Sequence, residues 1–190
     1  MKNPQYRAMP PHELSRIGEV NRQEVVHAVF VPESDESGFG IIARLVEKEP
    51  PAKLPPWGAE GAASRAQAWE PILSGGGKLY GTFVDNRLVG FVLLGPKNAD
   101  NSGEIAALFV DEAYRRLGVA GELLTWAEEQ ATALGMDSLY LYSNPTESAV
   151  KFYLNAGFGI VGLISKEIVP SLPGDVVMAK HLKRVDERSR

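Results

Sequence analysis

The sequence predicts an α+β domain: a mixed, mostly antiparallel sheet of about seven strands with helices on both faces. Three observations carry this prediction. Short apolar, β-branched runs outnumber amphipathic helical stretches. The clearest strands form a hairpin, residues 79–84 and 88–94, flanking Asp85, Asn86 and Arg87. Helical stretches separate several of the later strands, as crossover connections require.

In chain order, residues 6–9 read as a short first strand. Residues 10–24 read as a helix, with prolines at its start and Leu14, Ile17 and Val20 on one face. The β-branched content of residues 25–31 favours a strand. Residues 39–46 read as another strand. Residues 49–63 (EPPAKLPPWGAEGAA) are rich in Pro, Gly and Ala and read as a long irregular loop. Residues 64–73 follow as a short helix closed by Gly75, Gly76 and Gly77. After the hairpin come a polar loop (97–102), a strand (104–110) and a helix (118–134) that Gly135 ends. A strand (138–142), a helix (147–156) and an antiparallel pair (159–168 with 176–182) complete the domain.

Size and composition narrow the function. The 190 residues suffice for one domain, expected over 1–182, with a charged, fraying tail at 183–190. With 44% apolar and 23% charged residues the chain has a soluble, globular composition. The net charge of −4 argues against nonspecific nucleic-acid binding, which needs a basic surface. Cysteine is absent, which excludes a disulfide scaffold, a thiolate zinc site and a cysteine nucleophile. Acyl transfer through an enzyme thioester is excluded with them. The three histidines are far apart and form no H-E-x-x-H pattern, so no metal is expected. No secretory signal opens the sequence, and no apolar run approaches the ~20 residues that span a bilayer. A cytoplasmic protein without membrane contact is expected.

The informative stretch is 103–158. The apolar run 105–110 ends in a basic turn, Tyr114, Arg115, Arg116 and Leu117. It passes into a helix that starts Gly118, Val119, Ala120, Gly121. The first N–H groups of a helix lack internal partners and carry partial positive charge, so they suit a phosphate. Two glycines there cost roughly 1 kcal/mol each against alanine, so a close approach by a ligand or by the sheet must require them.

Arg115, Gly118 and Ala120 in R-x-x-G-x-A resemble the Q/R-x-x-G-x-G/A signature of the GNAT N-acetyltransferase superfamily. Asn144, Ala149, Tyr153, Gly157 and Phe158 resemble that family's second motif, N-x-x-x-x-A-x-x-x-Y-x-x-x-G-F. The two motifs together, in this order, cover about a third of the chain. The resemblance implies the GNAT fold, whose parallel strands splay apart at the cofactor, here 108–110 and 138–142. It implies acetyl-coenzyme A as co-substrate and an amine as acceptor. The pyrophosphate would lie on Arg115, Arg116, Leu117, Gly118, Val119, Ala120 and Gly121. The backbone of Leu108, Phe109 and Val110 would pair with the pantetheine arm, and Asn144 and Phe152 would lie beside the cofactor. A homodimer is a common assembly in the family.

Spacing alone sets Tyr153 on a stripe with Ala149, Phe152 and Ala156, where a tyrosine is ordinarily core. The resemblance makes it the general acid that protonates the departing thiolate. It also makes Glu104, at the start of the cofactor strand, a candidate base for the amine, with ordered water as the alternative and Glu24 and Tyr142 as weaker ones. Asn-Pro-x-Glu at 144–147 reads independently as a helix start with Asn144 as N-cap. The acceptor pocket is expected from residues 21–24, the loop around Trp57, and Trp69 with Glu70. Direct transfer of acetyl to a primary amine in a ternary complex is the expected activity. A catalytically inactive acetyl-coenzyme A-binding regulatory module is the alternative. A Rossmann dinucleotide enzyme fails for want of a full G-x-G-x-x-G.

Overall fold

The structure is a computed structural model that describes residues 3–34, 41–164 and 176–182. It divides into two compact units, Met1–Gln23 with Pro55–Leu139 and His181–Arg190, and Glu24–Leu54 with Tyr140–Lys180. The expected tail at 183–190 and parts of the expected strands 39–46 and 159–168 lie outside the described residues.

In the first unit, β1 (Gln5–Met9), β4 (Lys78–Val84), β5 (Arg87–Leu94) and β6 (Ser102–Val110) form an antiparallel sheet in the order β1-β4-β5-β6. Asp85 (φ 51°) and Asn86 (φ 62°) make the β4–β5 loop. Arg87 already pairs with Val84, so the turn has two residues rather than the three the sequence suggested. Positive φ at both central residues is the type I′ geometry that matches strand twist, and Asp and Asn tolerate it.

Helices cover both faces of this sheet. Residues Pro11–Glu19 form a 3-10 helix, not a full α-helix, that buries Leu14 and Ile17. With Trp69 of α1 (Gly58–Ser74) they pack on Leu88, Phe91 and Leu93. On the opposite face, α2 (Val119–Ala133) buries Val119, Leu123, Leu124, Ala127 and Ala131. Strand β5 is therefore buried from Leu88 to Leu94 on both sides, which explains its unbroken apolar run. A Cβ on Gly90 would lie 3.1 Å from Val119 Cγ1 and 3.3 Å from Leu123 Cδ1. That glycine lets the first turns of α2 sit tightly on the sheet.

The expected loop at 49–63 is corrected. Strand β3 (Ile41–Leu54) runs through the first prolines, and α1 starts at Gly58. In the second unit β3 pairs only with β2 (Glu24–Ser34), in a two-stranded ribbon. Its register jumps from Val26↔Ala52 to Ala28↔Glu47, so Pro50 and Pro51 fall where no ladder hydrogen bond is demanded of them. The helix expected at 64–73 is the second half of α1.

The second unit also holds most of β7 (Ser138–Ser143), α3 (Glu147–Asn155), β8 (Gly159–Leu163) and β9 (Val176–His181). Strand β9 stands between β7 and β8, antiparallel to β8. Apart from the β2–β3 ribbon, the strands number seven, as expected, in the expected α+β class. Asn144 does not cap α3. Thr146 does, its Oγ1 accepting from the N–H of Ala149 at 3.3 Å. The carbonyl of Pro145 instead accepts from the N–H of Phe30 at 2.7 Å, which keeps residues 144–145 extended against β2 and delays the helix by two positions.

Candidate active site

The phosphate-type turn lies wholly in the first unit. Strand β6 ends at buried Val110, and the next N–H, of Asp111, donates to Val89 O at 2.9 Å. Asp111 is 2% exposed. Its Oδ1 accepts from Ala113 N at 3.1 Å, which caps the 3-10 turn Glu112–Tyr114. Its Oδ2 accepts from Asn21 N at 3.0 Å and from the Arg87 guanidinium. The turn is thus anchored by a buried carboxylate whose ligands come from three separate stretches of sequence.

Beyond this anchor the backbone turns sharply, through positive φ at Arg116 (63°) and Gly118 (86°). Gly118 is the N-cap of α2, and the first intrahelical bond is Glu122 N to Gly118 O, 3.1 Å. The N–H groups of Val119, Ala120 and Gly121 therefore have no acceptor within the helix. Arg116, Leu117, Gly118 and Gly121 are exposed, Ala120 is half-buried and Val119 is buried. No atom lies within 4 Å of the Cβ that Gly118 or Gly121 lacks. Helix packing does not demand glycine at 121, unlike at 90. An exposed helix start whose first N–H groups lack helical acceptors, next to exposed Arg116 in sequence, has the chemistry to receive an anion.

Arg115 is arranged differently. Its guanidinium donates to Val110 O at 3.3 Å and to Arg22 O at 2.8 Å. Phe109 sends its ring into an aromatic cluster, 4.7 Å from Trp57 and 5.7 Å from Phe91, and Leu108 is half-buried. Trp57 closes that cluster, also 6.0 Å from Trp69, with the Arg22 guanidinium over its ring at 5.5 Å. It anchors the start of α1. Glu104, on β6, is half-buried. Burial pushes its carboxyl above the ordinary value, and no side-chain partner meets it among the described residues.

In the second unit, Tyr153 of α3 is 8% exposed. Its ring sits edge-on to Phe152 at 5.0 Å and to Phe158 at 5.6 Å. Burial pushes the phenol well above its ordinary range, so it stays protonated. Phe152 is half-buried and Asn144 exposed, with Asn144 O accepting from Ser143 Oγ at 2.9 Å. Glu24 accepts from the Ser148 hydroxyl, and Tyr142 is exposed. Among the described residues no three His, Asp or Glu gather as metal ligands, and no helix is long and apolar enough to cross a membrane.

Asp111, Glu112 and Arg87 are the residues that sequence reasoning missed. The local signal for Asp111 was present: an acid directly after an apolar strand and two residues before a free turn N–H. Arg87 offered none, because its partner lies 24 positions away.

The model of the acetyltransferase (GNAT) family matches residues 42–158, more than half of the chain. No curated protein matches the sequence. Among solved structures, nourseothricin acetyltransferase is similar at a TM-score of 0.75 and 20% identity, covering 95% of this chain and 99% of that one. A protein of Bacillus anthracis str. Ames described as a streptothricin acetyltransferase, in complex with acetyl coenzyme A, gives 0.70 and 21%, with 95% and 99% covered. PaiA N-acetyltransferase of Thermoplasma acidophilum, in complex with coenzyme A, gives 0.59 and 18%, with 94% and 99% covered.

Proposed function

The chain belongs to the acetyltransferase (GNAT) family, and from that premise we propose that residues 1–182 act as one domain that moves acetyl from acetyl-coenzyme A to a primary amine by direct attack. One observation supports this most: α2 begins with three unpaired N–H groups at a glycine, Gly121, that no packing contact explains. In this reading the N–H groups from Leu117 to Gly121 hold the pyrophosphate, with Arg116 adding charge and Arg115 entering through its backbone. The backbone of Leu108 to Val110 pairs with the pantetheine amides, and an N–H near Val110 polarises the thioester carbonyl. Asn144 and Phe152 border the cofactor.

An amine of pKa ~10.4 arrives protonated near neutral pH, so a base must take its proton. Glu104 serves, its affinity for protons raised by burial. The amine nitrogen then forms the new C–N bond, the C–S bond breaks as Tyr153 gives its proton to the sulfur, and the second proton lost by the nitrogen passes through solvent to restore the phenol. Because Glu104 has its pKa raised, kcat/KM for the amine is expected to fall as pH drops through that raised value, above the usual carboxylate range. Glu104→Gln should remove this acidic limb and leave coenzyme A binding unchanged.

The acceptors to try first are those named for the full-length structural neighbours, nourseothricin and streptothricin, followed by simple amines and peptides. Coenzyme A release is read with a thiol-reactive dye, against a low background because the protein has no cysteine. Release with one amine class is the expected result. Calorimetric binding of coenzyme A without turnover on any amine would overturn the transfer reading and leave a binding module.

A further inference from the structure

Arg115 occupies the first position of the phosphate-turn motif, yet its guanidinium donates to two backbone carbonyls, Val110 O at 3.3 Å and Arg22 O at 2.8 Å. The Arg22 carbonyl belongs to a segment that the same turn grips at several more points. Asn21 N donates to Asp111 Oδ2 at 3.0 Å, and Asn21 O accepts from Glu112 N at 2.9 Å. The carboxylate of Glu112 accepts from the side-chain amides of Asn21 at 3.0 Å and Gln23 at 2.8 Å. Asn21 Oδ1 in turn accepts from Gln23 N at 3.2 Å. Residues 21–23 thus have no regular structure of their own, and the turn after β6 sets their path.

We propose that Arg115 and Glu112 are positioning residues for the acceptor amine: they lash residues 21–23 to the cofactor turn, and the Arg115 side chain is not a phosphate ligand. This rests on the acetyl-transfer reading above and on the expectation from the sequence that residues 21–24 help to form the acceptor pocket. Its physical basis is donor geometry. A guanidinium offers separate N–H groups in a rigid fork, and here the fork spans carbonyls from the strand end and from the acceptor segment. A lysine ammonium keeps the charge but carries its three donors on one nitrogen, without the planar fork that spans this pair. Charge and geometry therefore separate in the variants.

The test combines calorimetric coenzyme A binding at low and high salt with steady-state kinetics on the amine that the wild-type protein acetylates. Arg115→Gln and Arg115→Lys are both expected to leave the Kd for coenzyme A within about threefold and its salt dependence unchanged. Both are expected to raise KM for the amine about tenfold, with kcat within about twofold. Glu112→Ala touches neither the guanidinium nor the core, since Glu112 is exposed. It should reproduce the rise in amine KM, and so covers the case of an Arg115 variant that fails to fold. A tenfold loss of coenzyme A affinity in Arg115→Gln, restored in Arg115→Lys, would make Arg115 a phosphate ligand and overturn the proposal. An unchanged amine KM in all three variants would overturn it equally. Failure of the wild-type protein to bind coenzyme A would instead remove the acetyl-transfer reading, and this proposal with it.

Discussion

Tyr153→Phe is expected to lower kcat by about a hundredfold or more, the range of a general acid, while the Kd for coenzyme A stays within about twofold. The substitution is clean because of where the ring sits. Phenylalanine keeps the edge-on contacts to Phe152 and Phe158 that wedge the side chain into the second unit. No hydrogen-bond partner meets the hydroxyl among the described residues, so removing it orphans no neighbouring group. What remains to be lost is the proton.

The direction of the pKa shift shapes the pH profile. Burial raises the phenol above its ordinary value, so the acid form persists through the alkaline range in which a free tyrosine would ionise. The wild-type protein is therefore expected to show no loss of kcat near pH ~10. The same shift makes full transfer to a free thiolate, of pKa ~8.5, uphill, so the proton must move as the C–S bond breaks rather than after it. An unchanged kcat in Tyr153→Phe would return Tyr153 to the role that its spacing alone implies, a core tyrosine.

The parts of this fold that were legible in the sequence are those whose determinants are local. Asp85 and Asn86 announce a tight hairpin because few residues accept positive φ, and the apolar alternation around them fixes the strands. Gly118 and Gly135 bound α2 for the same reason, each at positive φ. The start of α1 was hidden because Pro50, Pro51, Pro55 and Pro56 dominate the composition around it. A two-stranded ribbon places few hydrogen-bond demands on its outer strand, so β3 carries Pro50 and Pro51 at its register jump. The cap of α3 misled in another way. Asn144 and Glu147 satisfy the local rule, but a contact from Phe30, more than a hundred positions earlier, holds Pro145 extended and hands the cap to Thr146. In the site, the glycines and Tyr153 were visible as motifs. The Asp111 anchor and the grip of Glu112 and Arg115 on residues 21–23 join stretches that only the tertiary fold brings together.

Gly121→Leu is expected to move stability and binding in opposite directions. Glycine inside a helix costs about 1 kcal/mol against alanine, and leucine is nearly as good a helix former. A Cβ at position 121 meets no packing neighbour within 4 Å and the position is exposed, so a larger side chain has open space to enter. The variant should melt at the same temperature as the wild type or a few degrees above it. In the cradle, the same side chain stands over the unpaired N–H groups of Val119, Ala120 and residue 121 itself. A hydrogen bond to a charged group contributes about 1.5–3 kcal/mol, so denying the pyrophosphate two of them lowers coenzyme A affinity by about a hundredfold or more. Gly121→Ala should show the same stability gain with a smaller binding loss. Gly90 provides the contrast: its missing Cβ would press on Val119, Leu123 and the Phe109 carbonyl, so Gly90→Ala is expected to destabilise the fold. Thermal melts and calorimetry on these variants decide the matter. If Gly121→Leu unfolds the protein, the glycine belongs to packing. If it binds coenzyme A as tightly as the wild type, the phosphates lie elsewhere, and the cradle at the start of α2 loses the role assigned to it.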